Sequence, residues 1–382
     1  ERGERAFSRC QRCAGTARWR RGGGIAKAPQ ESPLDAFEKR NTSATRATCD
    51  LGFCGAISNA SSAAIYGWGM GAGKSDLGVV NDRADDPEEM VRLRFDIAYD
   101  GTDFHGWARQ KPNNGEELRT VQGELEDALR LILRFPVELT VAGRTDAGVH
   151  AAGQVAHADI PAASLHQRSI DGDPGRLVRR LAKLLEPDIR VTAVSFAPDG
   201  FNARFSALTR TYRYRVTTAE SGALPTRLRD TAVWPKKVDL SAAQDVANVV
   251  IGLHDFAAFC KARPFATTIR EIRSFEWHDV STAEEPELYE AVIVADAFCW
   301  HMVRALVATC LDVGAGRQDV DWAKALLGET ERASAVGLAP ANGLTLIGVD
   351  YPADGELAAR AELTSQRREA AEVHTDTGAP KE

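Results

Sequence analysis

Val141-Ala142-Gly143-Arg144-Thr145-Asp146-Ala147-Gly148-Val149-His150-Ala151-Ala152-Gly153 stands between two extended runs, Leu139-Thr140-Val141 before it and Gln154-Val155-Ala156-His157 after it. Glycines bracketing a small polar cluster predict a tight loop between strands. Such a loop can thrust one carboxylate, that of Asp146, out of a sheet into a cleft, with Arg144 near enough to favour its ionised form. Beside this stands a plainer reading, because an Asp before Ala-Gly commonly bonds its own backbone in a turn. The elements on either side of the loop bear on the choice.

Working outward, residues 91–100 alternate, with Val91, Leu93, Phe95 and Ile97 on one face and Arg92, Arg94 and Asp96 on the other. That is the pattern of a half-buried strand. Thr120 can cap a helix whose apolar face is Val121, Leu125, Ala128, Leu129 and Ile132. Strands are expected near 137–142 and 153–159, a helix near 175–185 on Leu177, Val178, Leu181, Leu184 and Leu185, and a strand at 189–196. The order is β-α-β-β-α-β, and it recurs. Residues 209–217 alternate, a helix is expected at about 241–252, strands near 268–279 and 287–296, and a helix at about 300–314. An extra helix near 320–328 precedes a last strand at 344–350. Two split β-α-β units predict an α+β fold of two ferredoxin-like halves. If their antiparallel sheets join edge to edge, Asp146 of the first copy and Tyr212 of the second can reach one cleft.

This organisation divides the chain into residues 90–200, 201–352 and a charged, flexible tail at 353–382. Residues 1–89 differ in texture, being rich in Gly, Ala, Ser and Arg without periodicity. They are expected to be a disordered or mis-assigned extension; an Arg-rich start also suits an organellar transit peptide. Two motifs there fail on spacing. Cys10, Cys13, Cys49 and Cys54 do not make a zinc knuckle. Gly69–Ser75 has Trp68 where a phosphate-binding loop needs glycine. Seven scattered cysteines read as reduced cytosolic thiols, with Cys299 and Cys310 expected on an apolar helix face. No apolar run approaches the length of a membrane span. A net charge of −7 speaks, on average, against a polyanionic partner, although a local basic groove can still bind one.

Five blocks, in order, resemble the motifs of the tRNA pseudouridine synthase A family, over about residues 91–352. They are Tyr99-Asp100-Gly101-Thr102-Asp103-Phe104-His105-Gly106-Trp107, the block from Gly143 to Ala151, the block from Phe201 to Ala207 with Arg210–Tyr214, the pair Ala297-Phe298 with His301-Met302-Val303-Arg304, and Gly343-Leu344 with Val349–Pro352. The resemblance implies isomerisation of uridine to pseudouridine at positions 38 to 40 of the tRNA anticodon stem-loop, by a cytoplasmic homodimer without cofactor or metal. Residue by residue, Asp146 matches the nucleophile, Arg144 its partner, Tyr212 the tyrosine against the target uracil and Leu344 the pocket wall. Ala108, the long loop at 111–117 and Ala182 depart from the family pattern.

The chemistry itself asks for little more. Cutting N1–C1′, turning the base and joining C5 to C1′ needs one carboxylate, which acts at C1′ or C6 as nucleophile or at C2′ as base. It also needs a flat apolar pocket, for which Tyr212 and Leu344 suit. Flipping a uridine out of its stack costs a few kcal/mol, to be met by phosphate contacts. The cations available are Arg176, Arg179, Arg180, Lys183, Arg204, Arg210, Lys261 and Arg263, of which Arg204 and Arg210 are expected at the substrate. His150 is read as a loop histidine held by backbone bonds, Trp300 as packing, and Tyr214 as core unless the register exchanges it with Tyr212. Two rivals remain: a catalytically silent RNA-binding module, and a glycosidic hydrolase, which would need a second carboxylic acid that the motif blocks lack.

Overall fold

The computed structural model describes residues 89–110, 117–263 and 266–365. The expectations for residues 1–88, including both rejected motifs, lie outside these residues, as does most of the long loop at 111–117.

The first half runs β1 (Met90–Tyr99), α1 (Val121–Leu133), β2 (Thr140–Val141), β3 (His150–Pro161), α2 (Arg176–Leu184) and β4 (Ile189–Phe196). In β1 the alternation does what its sequence demands: Leu93, Phe95 and Ile97 are almost wholly buried. Each such side chain contributes about 1.5–3 kcal/mol of hydrophobic stabilisation. The Thr120 hydroxyl accepts the Gly123 N–H to start α1, and Arg134 in the left-handed region closes it. In α2 only Leu177 and Leu181 are buried; Leu184, expected inside, is exposed at the last turn.

The second half runs β5 (Thr209–Thr217), β6 (Ala232–Val233), α3 (Leu240–Val249), β7 (Gly252–Asp255), β8 (Ile269–Asp279), β9 (Leu288–Ala295), α4 (Met302–Gly314), α5 (Val320–Ala325) and β10 (Leu344–Asp350). The expected helix at 241–252 stops at Val249, because Gly252 turns the chain at a φ of +109° into β7, which pairs with β8. Residues 300 and 301 are not helical either: His301 takes a φ of +74° and α4 starts after it.

All ten strands form one sheet, in the order β4-β1-β3-β10-β5-β9-β8-β7, with β2 on β3 and β6 on β5. Each half keeps the ferredoxin-like order, β4-β1-β3-β2 and β10-β5-β9-β8. The expected strand at 137–142 shrinks to β2, whose partners are Ala156 and His157 in the middle of β3. The near end of β3 is thereby left for β10, which pairs in parallel through Thr345↔His150 and Leu346↔Ala151. The halves join there, and one continuous hydrophobic core runs through both.

Past Pro352 the chain does not fray at once. A helix α6 (Leu357–Ser365) seats buried Leu357 against Phe201 and Ala203, where a frayed helix leading into coil is expected. Cys260 and Cys299 are joined as a disulfide, with Cα atoms 5.8 Å apart, which corrects the expectation that every thiol is reduced. Cys299 lies ahead of α4 rather than on it. Cys310 is a buried free thiol pushed up to about 12 by burial. Among the described residues no helix is long and apolar enough to cross a membrane.

Candidate active site

The loop between β2 and β3 is fastened through its backbone. The Val149 N–H donates to the Asp146 carbonyl (3.2 Å), and Gly148 takes a φ of +77° to close that turn. The turn therefore uses the peptide oxygen of Asp146 and leaves its carboxylate outside.

The block Tyr99–Trp107 is the loop's cradle. The Trp107 N–H donates to the Thr145 carbonyl (3.1 Å), and the Gly148 N–H to the Phe104 carbonyl (3.3 Å). Gly106, at a φ of +95°, lets the two segments touch: a Cβ there would stand 2.9 Å from the Thr145 carbonyl oxygen. Beneath lies a buried polar network. The Gln154 side-chain amide donates to the Gly143 carbonyl (2.8 Å) and to the Tyr99 hydroxyl (3.3 Å), which lies 2.8 Å from the Thr145 hydroxyl. Burial pushes the Tyr99 phenol up to about 12, against those two hydrogen bonds. His150 is held as expected, its Nδ1 accepting the Gly101 N–H (3.0 Å) and its Nε2 facing the Asn342 carbonyl (3.1 Å). Fixing a catalytic group on such supports avoids reorganisation when it reacts.

The Asp146 carboxylate points at the start of α4. His301 Nε2 lies 3.7 Å and Arg304 Nη1 3.9 Å from its Oδ2, and all three side chains are mostly shielded from solvent. Arg304 is aimed by its Nε, which donates to the Ala339 carbonyl (2.8 Å). Attraction between unit charges at about 4 Å is on the order of 4 kcal/mol near a protein surface, before desolvation offsets part of it. Burial lowers the pKa of His301; Asp146 opposes that shift, while Arg304, Arg332 and Lys261 add to it.

Tyr212 reaches the same place from β5. It is buried, its ring meets Phe298 edge-on at 5.2 Å, and burial, then Tyr99, then the charge of Asp146 raise its pKa. Tyr214, two residues on, donates its hydroxyl to the Pro340 carbonyl (3.1 Å), a structural bond that fixes the register. Leu344 and Leu346 of β10 lie opposite Tyr214 and Tyr212 respectively, and Leu344 is buried.

Arg144, expected beside the carboxylate, is exposed and is not in ion-pair range of Asp146 among the described residues. Arg210, expected at a phosphate, is buried, and its guanidinium donates to the carbonyls of Asp296 (2.6 Å), Ala142 (2.9 Å) and Arg204 (2.7 Å). It is a strut between the Asp146 loop and the end of β9. Arg204 is exposed and packs on Phe205. Its pKa is lowered by burial first, then by Arg144 and Arg263. On α2, Arg176 pairs with Asp171 and Arg180 bonds Ser169, so these lie on a solvated, locally paired face. Arg304 and His301 carried no role in the sequence reading. The signal available was their spacing: two polar groups three apart open an otherwise apolar helix.

Two ferredoxin-like halves sharing one sheet, with a fastened carboxylate facing an arginine across their join, define an α+β class of protein, and a family model described as tRNA pseudouridine synthase matches residues 246–352. The chain is 61% identical over 279 residues to the tRNA pseudouridine synthase A of Corynebacterium glutamicum, covering 73% of this chain and 96% of that protein. It is 49% identical over 286 residues to the Mycobacterium leprae protein of the same name, covering 73% and 96%. Against that of Frankia casuarinae it is 50% identical over 278 residues, covering 72% and 94%. This chain belongs to the tRNA pseudouridine synthase A family.

Proposed function

We propose that this chain converts uridine to pseudouridine at positions 38 to 40 of the tRNA anticodon stem-loop, with Asp146 as the nucleophile. The observation that carries this reading is the Asp146 carboxylate, fastened through its loop backbone and turned towards Arg304 and His301, with Tyr212 within its field. The reaction is an isomerisation: N1–C1′ breaks, C5–C1′ forms, and the proton leaving C5 is balanced by one gained at N1. Nothing is oxidised, so the reading calls for no cofactor or metal. Attack at C1′ or C6, or proton abstraction at C2′, equally requires a held, charged oxygen and a base that turns without escaping. Tyr212 offers the flat face for that base and Leu344 an apolar wall. Arg204 and Arg144, both exposed at the rim, are assigned to the RNA backbone. Arg144 becomes a partner of Asp146 only if substrate draws it inward. The family resemblance further implies a cytoplasmic homodimer, which the native mass in solution tests.

The deciding experiment incubates the full chain with unmodified tRNA and maps pseudouridine at single-nucleotide resolution. Wild type should modify the anticodon arm, and Asp146→Asn should abolish modification while tRNA affinity stays within severalfold. Binding without modification by wild type would indicate a silent RNA-binding module, and free uracil a hydrolase. Collapse of binding in Asp146→Asn would make the residue a structural turn.

A further inference from the structure

Arg144, Arg204, Lys261 and Arg263 at the rim of the site have no carboxylate in ion-pair range among the described residues. Three of them lie over an aromatic ring instead: Arg204 Cζ is 5.0 Å from the Phe205 ring centroid, and the other two share one indole. Lys261 Nζ lies 4.2 Å and Arg263 Cζ 4.3 Å from the ring centroid of Trp300. Trp300 is half-buried and immediately precedes His301, whose ring is 5.0 Å away and whose Nε2 faces Asp146. The backbone holds the two segments in place, because the Lys261 N–H donates to the Trp300 carbonyl (2.9 Å). The Cys260–Cys299 bridge joins the same segments one residue earlier in each.

In a chain with 54 acidic residues against 47 basic ones, a carboxylate is the abundant means of steadying a lysine or arginine. It would also cancel the charge. An indole face restrains the side chain while leaving its charge and its N–H donors available to an anion. Long cations left free in water must be ordered by the ligand at its own entropic expense, and restraint in advance removes part of that cost. The anion that fits is a phosphodiester: it is singly charged, recurs along a strand, and is the group by which A-form RNA is held.

On the isomerase reading above, we propose that Lys261 and Arg263 form a preorganised clamp for an RNA backbone phosphate beside the flipped uridine, with Trp300 as the residue that positions them. The clamp stands next to the carboxylate through the Trp300–His301 step. It therefore holds the strand where it must stay fixed while one base leaves the stack.

The test measures binding of the full chain to an unmodified tRNA transcript over a series of salt concentrations. Lys261→Gln and Arg263→Gln should each make the slope of log K against log salt shallower by about 0.7–0.9. Trp300→Leu, which keeps both charges, should weaken binding about threefold to tenfold at low salt, and Trp300→Phe should recover most of that. In the Lys261→Gln/Arg263→Gln background Trp300→Leu should add no further loss, a coupling that a merely structural tryptophan would not show. Wild-type slopes in both glutamine variants, or an undiminished Trp300→Leu effect in the double background, would overturn the clamp. Pseudouridine is mapped in the same wild-type samples. Unchanged slopes with modification present sink the clamp alone; shifted slopes without modification support the clamp and sink the isomerase reading.

Discussion

A cation in the first turn of a helix faces the positive end of that helix's dipole, so Arg304 is locally misplaced. Its position makes sense only through what it meets: the Ala339 carbonyl on Nε and Asp146 near Nη1. Arg144 had the stronger claim on sequence distance alone, and that is where residue-level reading stopped short. Side-chain direction in the loop between β2 and β3 is set by what packs beneath it, here the Tyr99–Trp107 cradle, and spacing does not encode that. Arg210 was legible as basic but not as buried, because its carbonyl partners come from three separate segments. Arg304→Gln should lower kcat by about 100-fold, the scale of a misplaced reacting group, with tRNA affinity within severalfold. Arg144→Gln should act chiefly on tRNA affinity and its salt dependence. Single-turnover rates with saturating tRNA, set beside binding isotherms, distinguish the two; equal loss of rate in both variants would restore Arg144 to the carboxylate.

Strands with a strict period of two were readable because one face of each is buried, as in β1 and β5. Short elements were not. β2 and β7 exist because a neighbouring strand offers them a ladder, and their own sequences carry little preference. The segment at 201–206 is likewise placed by a partner, since the Ala203 N–H donates to His157 Nδ1 on β3 (3.1 Å). Burial pushes this imidazole down to about 4, with Arg92 adding to the shift and Asp159 opposing it. An imidazole whose native pKa lies below its unfolded value near 6.5 stabilises the fold fully above pH 6.5. That contribution is lost as pH falls towards 4, where the unfolded chain binds the proton more readily. The loss amounts to at most about 3 kcal/mol. Asp159, held down mainly by its hydrogen bond from Arg92, adds a separate loss only at lower pH. Urea unfolding between pH 7 and 4 should show this decline in wild type and little of it in His157→Asn. A decline of the same size in the variant would remove His157 as its cause.

On the scale of the molecule, the join between the halves is what brings Asp146 to Arg304, His301 and Tyr212. The repeat of β-α-β-β-α-β predicts two sheets but not which edges meet, because β10 pairs with β3 through only two register pairs. One residue held a trace of it. A Cβ on Gly153 would lie 2.4 Å from the Ile347 carbonyl oxygen and 2.9 Å from its carbon, both backbone atoms of β10. No side-chain rotation can relieve such a contact, so β3 and β10 must separate. Gly153→Ala should therefore cost about 1–3 kcal/mol and lower the melting temperature by several degrees. The larger consequence falls on turnover. Widening the join moves Asp146 on one half against Arg304 and His301 on the other, and for a reacting group a displacement near 1 Å is enough for about a 100-fold loss. Ala152→Gly, on the exposed neighbouring position, serves as the control for backbone change without the clash. Pseudouridine formation measured well below the melting point should be impaired in Gly153→Ala beyond what its stability explains, and near wild type in Ala152→Gly. Were both variants equally active, close approach of β10 to β3 would not be what sets the site.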